Sequence, residues 1–212
     1  MSIYETYKEQ ADALIAAGSF FNQRNWAPAT SGNYSSRLGD DALLLTVSGA
    51  HKGELSGDDF LVVDGRGVVV ETPREGAKPS AETGLHTQIY RLDPGVGAVL
   101  HSHSVISTVV SRHCAGDALV FEGYEMQKAF RGISTHDCRV EVPVFENDQD
   151  IARLAEAVEE YVQAHGLPVG YLIRGHGLYS WGATVFEARR QVEALEFLLE
   201  CEWMRSGGGR AE

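Results

Sequence analysis

The chain has 212 residues, 43% hydrophobic and 23% charged, with a formal net charge of −12. That length suits one well-packed core, and the negative balance argues against a nucleic-acid or membrane partner while leaving room for an anionic substrate in a locally positive pocket. No run approaches the roughly 18 apolar residues of a membrane span, the start Met1-Ser2-Ile3-Tyr4-Glu5 reads as no secretory leader, and Cys114, Cys138 and Cys201 are spaced as reduced thiols, so a cytoplasmic protein is expected.

In chain order, Ser2 and Glu5 form a capping box for a first helix, with Ile3, Tyr7, Ala11, Leu14 and Ile15 at helical spacing and Gly18 as the expected stop. Short strands are expected at Tyr34–Leu38, Ala42–Val47, Phe60–Val63 and Gly67–Glu71, separated by turn residues as in antiparallel meanders. Ser80 is read as the cap of a helix carrying Leu85, Ile89 and Leu92. An apolar strand, Gly97–His101, runs into a helix from Ser104 to Arg112. Strands follow at Leu119–Glu122 and Val140–Phe145, with no definite structure read between Tyr124 and Phe130. Asp148 is taken as the cap of a helix striped by Ile151, Leu154, Val158 and Val162. Val169–Arg174 and Leu178–Trp181 read as strands around Gly175-His176-Gly177, and Thr184 with Glu187 opens the last helix. The pattern predicts one domain over 1–212, a mostly antiparallel sheet with helices on both faces, and a frayed tail at 206–212.

Leu100-His101-Ser102-His103-Ser104 closes an apolar strand. Residues i and i+2 share a strand face, so both imidazoles can converge on one ion. His176, between two glycines at another strand end, is the third candidate for a three-histidine zinc centre with an open position. Spacing alone also fits ordinary polar residues at strand ends. His51, His113, His136 and His165 read as surface or loop residues. His86 lies one helical turn from Glu82, and that pair reads as an exposed or capping pair that can also reach a metal. Proton abstraction beside a metal needs a carboxylate, and Glu82 and Glu125 are the candidates. The apolar neighbours of Glu125 are expected to bury it and raise its pKa; the alternative is a solvated surface glutamate. Thr30-Ser31-Gly32-Asn33 and Val47-Ser48-Gly49-Ala50-His51-Lys52 read as anion cradles, with Lys52 adding charge and Ser80 a helix N-terminus.

Taken in order, Ser31-Gly32-Asn33, Ser48-Gly49, Lys78-Pro79-Ser80-Ala81-Glu82, His101-Ser102-His103 and Arg174-Gly175-His176-Gly177 resemble the class II aldolase/adducin family, over about residues 5–203. The resemblance implies a three-layer α/β/α sandwich around a mostly antiparallel central sheet. It further implies Zn2+ on His101, His103 and His176, a homotetramer, and lyase chemistry on a small phosphorylated sugar held by Ser31, Gly32, Asn33, Ser48, Gly49 and Ser80, with Lys52 nearby. Glu82 matches the proton-transfer glutamate of the family's aldolases. Thr46–Lys52, Tyr124–Lys128 and Gly175–Gly182 resemble a dehydratase branch, in which the glutamate matching Glu125 is the acid/base. Ala81 replaces a serine of the aldolase motif, and no tyrosine follows Trp203. Both departures fit dehydration better than aldol cleavage. The alternatives are a class II sugar-phosphate aldolase, a pentulose-phosphate 4-epimerase, a metal-free adducin-like interaction module, and iron, manganese or cobalt in place of zinc.

Overall fold

Ser2 starts the first helical turn as the capping box predicts: its hydroxyl accepts from Glu5 N, and the Glu5 carboxylate accepts from Ser2 N. In the computed structural model, which describes residues 1–39 and 41–208, this turn is α1 (Ile3–Thr6), and α2 (Lys8–Gln23) follows. α2 runs straight through Gly18, the expected stop. A Cβ at Gly18 would lie 2.2 Å from Lys52 O, so this glycine permits a close approach and does not cap the helix.

Among the described residues, nine strands form one sheet: β1 (Asn33–Arg37), β2 (Ala42–Thr46), β3 (Phe60–Asp64), β4 (Val69–Glu71), β5 (Ala98–Ser102), β6 (Ala118–Glu122), β7 (Arg139–Phe145), β8 (Gly170–Ile173) and β9 (Gly177–Gly182). Their order is β4-β3-β2-β1-β5-β9-β8-β7-β6. Only β7 and β8 pair in parallel; the other neighbours are antiparallel. The central strands are buried on both faces, so their alternation sorts residues between two cores and not between core and water. Leu44, Phe60, Val62, Leu100, Leu172 and Leu178 face α2 and α6 (Val185–Arg205). Leu43, Leu45, Leu61, Val63, Val99, Tyr171, Ile173 and Tyr179 face α3 (Thr83–Leu92) and α5 (Ile151–His165). The result is the α/β/α sandwich the sequence implied.

The helix starts refine the sequence reading. Ser80 lies in the turn before α3, where its hydroxyl accepts from Glu82 N at 3.2 Å, and it does not cap the helix itself. α5 is capped by Asp150, while Asp148 engages Arg153 at 2.8 Å. Ser104 caps α4 (Val105–His113) and Thr184 caps α6. After α6, Gly208 N donates to Trp203 O at 2.9 Å; of the tail expected to fray, 209–212 lie outside the described residues.

Candidate metal centre and active site

The sheet register brings the site together. Asn33 of β1 stands opposite His101 of β5, and His101 stands opposite Tyr179 of β9. These three residues therefore lie side by side on the face toward α3 and α5. The His101 ring stacks on Tyr179 with centroids 4.0 Å apart. His103 follows the end of β5, where its N–H donates to Trp26 O at 2.7 Å. His176 sits in the β8–β9 turn, with Gly175 at φ +67. A Cβ on Gly177 would stand 2.1 Å from Ser102 O and 3.1 Å from His101 Cε1, so a glycine there lets β9 close against the histidine strand.

One nitrogen from each of His101, His103 and His176 lies within 4.8 Å of the others. His101 Nδ1 donates to Leu178 O at 3.0 Å, which leaves Nε2 bare and 3.4 Å from His176 Nε2. Burial first, and then the neighbouring His176, holds the His101 pKa well below the usual range. Burial, with His101 and His176 beside it, pushes His103 down to about 3. His176 Nδ1 is buried without a hydrogen-bond partner among the described residues. Neutral imidazoles with inward lone pairs are the donor set that a divalent transition metal binds, so these residues fit a zinc-class ion.

Glu82 is the carboxylate at this cluster. Its Oε2 lies 3.6 Å from His101 Nε2 and its Oε1 3.5 Å from His176 Nε2. Glu82 and His103 also line a cavity of ≈290 Å³ with Thr30, Ser31, Gly32, Asn33, Val47, Ser48, Gly49 and Ser80. Both small-residue loops and the start of α3 thus open onto one space. The Asn33 amide is already committed, donating to Glu82 at 2.7 Å and to Ser80 at 3.2 Å.

Two expectations are corrected. Lys52 does not present charge to this cavity. It is 1% exposed, and its ammonium donates to Thr30 O at 3.1 Å and Ala50 O at 2.5 Å, tying the two loops together from behind. Its burial lowers its pKa to about 8. Glu125 is not buried. It opens the 3-10 turn Glu125–Ala129 after edge strand β6, its side chain is 72% exposed, and it engages Lys128 and His136. Gln127, Phe121 and Phe130 take the inward positions of that segment. The Lys128 hydrogen bond holds the Glu125 carboxyl below the usual range, the reverse of the expected shift.

His86, read as exposed or capping, is fully buried and bonded to Ser35 and Asn33. Glu196 of α6 is buried behind the histidine strand and accepts from Ser102 and Ser104. The i, i+4 spacing of Glu82 and His86 was a visible signal for the first. Nothing local marks Glu196, which is buried in α6 among Val192, Leu195 and Leu199.

Comparison with known proteins agrees with this geometry. The sequence matches the profile of the Class II Aldolase and Adducin N-terminal domain over residues 12–203. A methylthioribulose-1-phosphate dehydratase of Pseudomonas aeruginosa is 59% identical over 189 residues, 89% of this chain and 91% of that protein. One from Pseudomonas fluorescens is 57% identical over 197 residues, 93% of each chain. The crystal structure of L-fuculose-1-phosphate aldolase from Thermus thermophilus superposes with a TM-score of 0.75 at 25% identity, covering 96% of this chain and 99% of that one. The same fold, a profile spanning nearly the whole length and relatives of this identity lead to one conclusion: the chain belongs to the class II aldolase and adducin family.

Proposed function

We propose that the chain is a hydro-lyase that removes water from 5-methylthioribulose 1-phosphate to give 2,3-diketo-5-methylthiopentyl 1-phosphate, a step of methionine salvage, as a zinc-dependent homotetramer in the cytoplasm. One observation carries it: three histidine nitrogens cluster beside the Glu82 carboxylate, and Glu82 and His103 line a cavity with small hydroxyl and glycine residues. The chain's similarity to dehydratases of that name supplies the substrate.

In this reading the phosphate rests against Ser31, Gly32, Asn33, Ser48, Gly49 and Ser80, where main-chain amides and hydroxyls receive it. Lys52 shapes this cradle by holding its two loops and makes no direct contact. Zinc on His101, His103 and His176, when bound, supplies Lewis-acid polarisation of the substrate carbonyl, which acidifies the adjacent C–H. Glu82 removes the carbon-3 proton. The released electron pair forms the carbon-3 to carbon-4 double bond as the carbon-4 hydroxyl departs, protonated, as water, and the enol tautomerises to the diketone. Glu125, pointing outward from its own subunit, is the second proton carrier and serves the histidine cluster of a neighbouring copy.

Turnover of the methylthio sugar phosphate with product analysis tests the reading. Diketone and water support it, two carbon fragments indicate an aldolase, and an isomer with unchanged mass indicates an epimerase. Purified protein is expected to hold about one zinc per chain. Glu82→Gln should keep the metal and lose about 10²- to 10⁴-fold in kcat. Glu125→Gln alone should also be impaired. Mixing it with His101→Ala should restore activity in hybrid assemblies, because one site then has both groups. Wild-type turnover by Glu125→Gln removes that residue from the mechanism.

A further inference from the structure

Behind Glu82 and Asn33 runs a buried chain of polar side chains, His86, Ser35 and Tyr90, to which the scheme above gives no task. Tyr90 Oη lies 2.9 Å from Ser35 Oγ, and Ser35 Oγ lies 2.7 Å from His86 Nδ1. His86 Nε2 contacts Asn33 Oδ1, and Asn33 Nδ2 donates to Glu82 Oε2 at 2.7 Å. Ser35 and His86 are fully buried, and Tyr90 and Asn33 are 5% exposed.

The donor directions follow from chemistry. An ionised carboxylate only accepts, so the Asn33 amide must turn its NH2 toward Glu82 and its oxygen toward His86. That oxygen accepts, so His86 Nε2 must carry the proton. Burial keeps the ring neutral, with its pKa pushed down to about 4, and a neutral ring protonated at Nε2 has a bare Nδ1. Ser35 then donates to Nδ1, and the Tyr90 hydroxyl donates to Ser35. One orientation satisfies every member of the chain, and it ends on the Glu82 carboxylate. Aligned donors of this kind polarise one another in a low-dielectric interior.

We infer that His86 is a positioning residue: locked as the Nε2–H tautomer by Ser35 and Tyr90, it orients the Asn33 amide, which holds Glu82 Oε2 in place and leaves Oε1 for the substrate proton. This rests on the reading of Glu82 as the proton-transferring carboxylate. It gives Asn33 a task besides facing the phosphate, and it makes three residues remote from the substrate determinants of kcat.

The test has one arm that needs no turnover. Imidazole 15N spectra of the metal-loaded protein should show His86 as the Nε2–H tautomer, neutral from pH 8 to pH 5, and Ser35→Ala should shift it toward a mixture of tautomers. In the kinetic arm, His86→Phe should retain zinc and lower kcat about 10- to 100-fold with KM changed little. Tyr90→Phe and Ser35→Ala should give smaller losses in the same direction, and they carry the test if His86→Phe does not fold. Combined with Glu82→Gln, His86→Phe should add no further loss, because both changes act on one group. An Nδ1–H tautomer, an unchanged kcat in His86→Phe, or an additive double variant overturns the inference. If the wild type does not turn over the sugar phosphate, the functional reading fails, while the tautomer and its dependence on Ser35 are still decided by the spectra.

Discussion

At the residue scale, the face of the histidine strand turned away from the substrate is as constrained as the face toward it. Ser102 and Ser104, which flank His103, donate to Glu196 at 3.2 and 2.6 Å. Burial raises the Glu196 pKa to about 7. A carboxyl whose folded pKa lies above its unfolded value of 4.5 takes up a proton on folding. Its contribution therefore turns less favourable as pH rises from 4.5 through 7 and is level beyond. The pair of values bounds the effect at about 3 kcal/mol. Glu196→Gln should remove that slope from the unfolding free energy between pH 4.5 and 7. Urea titrations of both proteins at pH 5 and pH 8 measure it, and parallel pH dependences would disprove it.

At the element scale, β9 must approach β5 closely enough for the His176 turn to meet His101. Gly177→Ala places a methyl against Ser102 O and His101. That overlap should cost about 1–3 kcal/mol of stability and reduce bound zinc, measured by unfolding and by metal analysis of the same preparation. Elements of this kind were mostly legible in the sequence. The alternating strands, the capping box at Ser2, the Thr184 cap and the HxH pair are signals carried within a few residues, although the Glu187 carboxylate accepts from Ala183 N and so leaves the second box half made. The errors lie where distant chain decides. Gly18 resembles a helix stop, yet it is matched to the Lys52 carbonyl. Lys52 resembles a phosphate ligand until Thr30 O and Ala50 O are seen to claim its ammonium. Glu125 has apolar sequence neighbours, but the 3-10 turn sends Gln127 inward and Glu125 out. The link from His86 through Asn33 to Glu82 depends on how α3 packs against β1, which local sequence does not contain.

At the scale of the whole molecule, the buried imidazoles set how the protein responds to acid. His86 and His103 are pushed down to about 4 and about 3, and His101 lies well below its usual range. A base with a depressed folded pKa contributes stability that is present above its unfolded value, 6.5, and lost as pH falls toward the folded one. For His86 alone the loss by pH 4 is on the order of 3 kcal/mol. Against a typical total of about 5–15 kcal/mol, three such groups should unfold the metal-free protein cooperatively between about pH 6 and pH 4. Zinc should shift that midpoint to lower pH, because it binds only the folded, deprotonated set. Equal acid midpoints with zinc and with chelator would contradict this.

The arrangement of β1, β5 and β9 also has a kinetic meaning. His101 pairs with Tyr179 of β9 and with Asn33 of β1, partners 78 and 68 residues away along the chain. Ladders this distant close late, after their loop entropy has been overcome. The three histidines are therefore scattered during most of the search for the native state and gather only once the middle of the sheet has zipped. An ion added to the refolding chain should leave the refolding rate nearly unchanged and slow unfolding instead, acting as a latch on a door that has already swung shut.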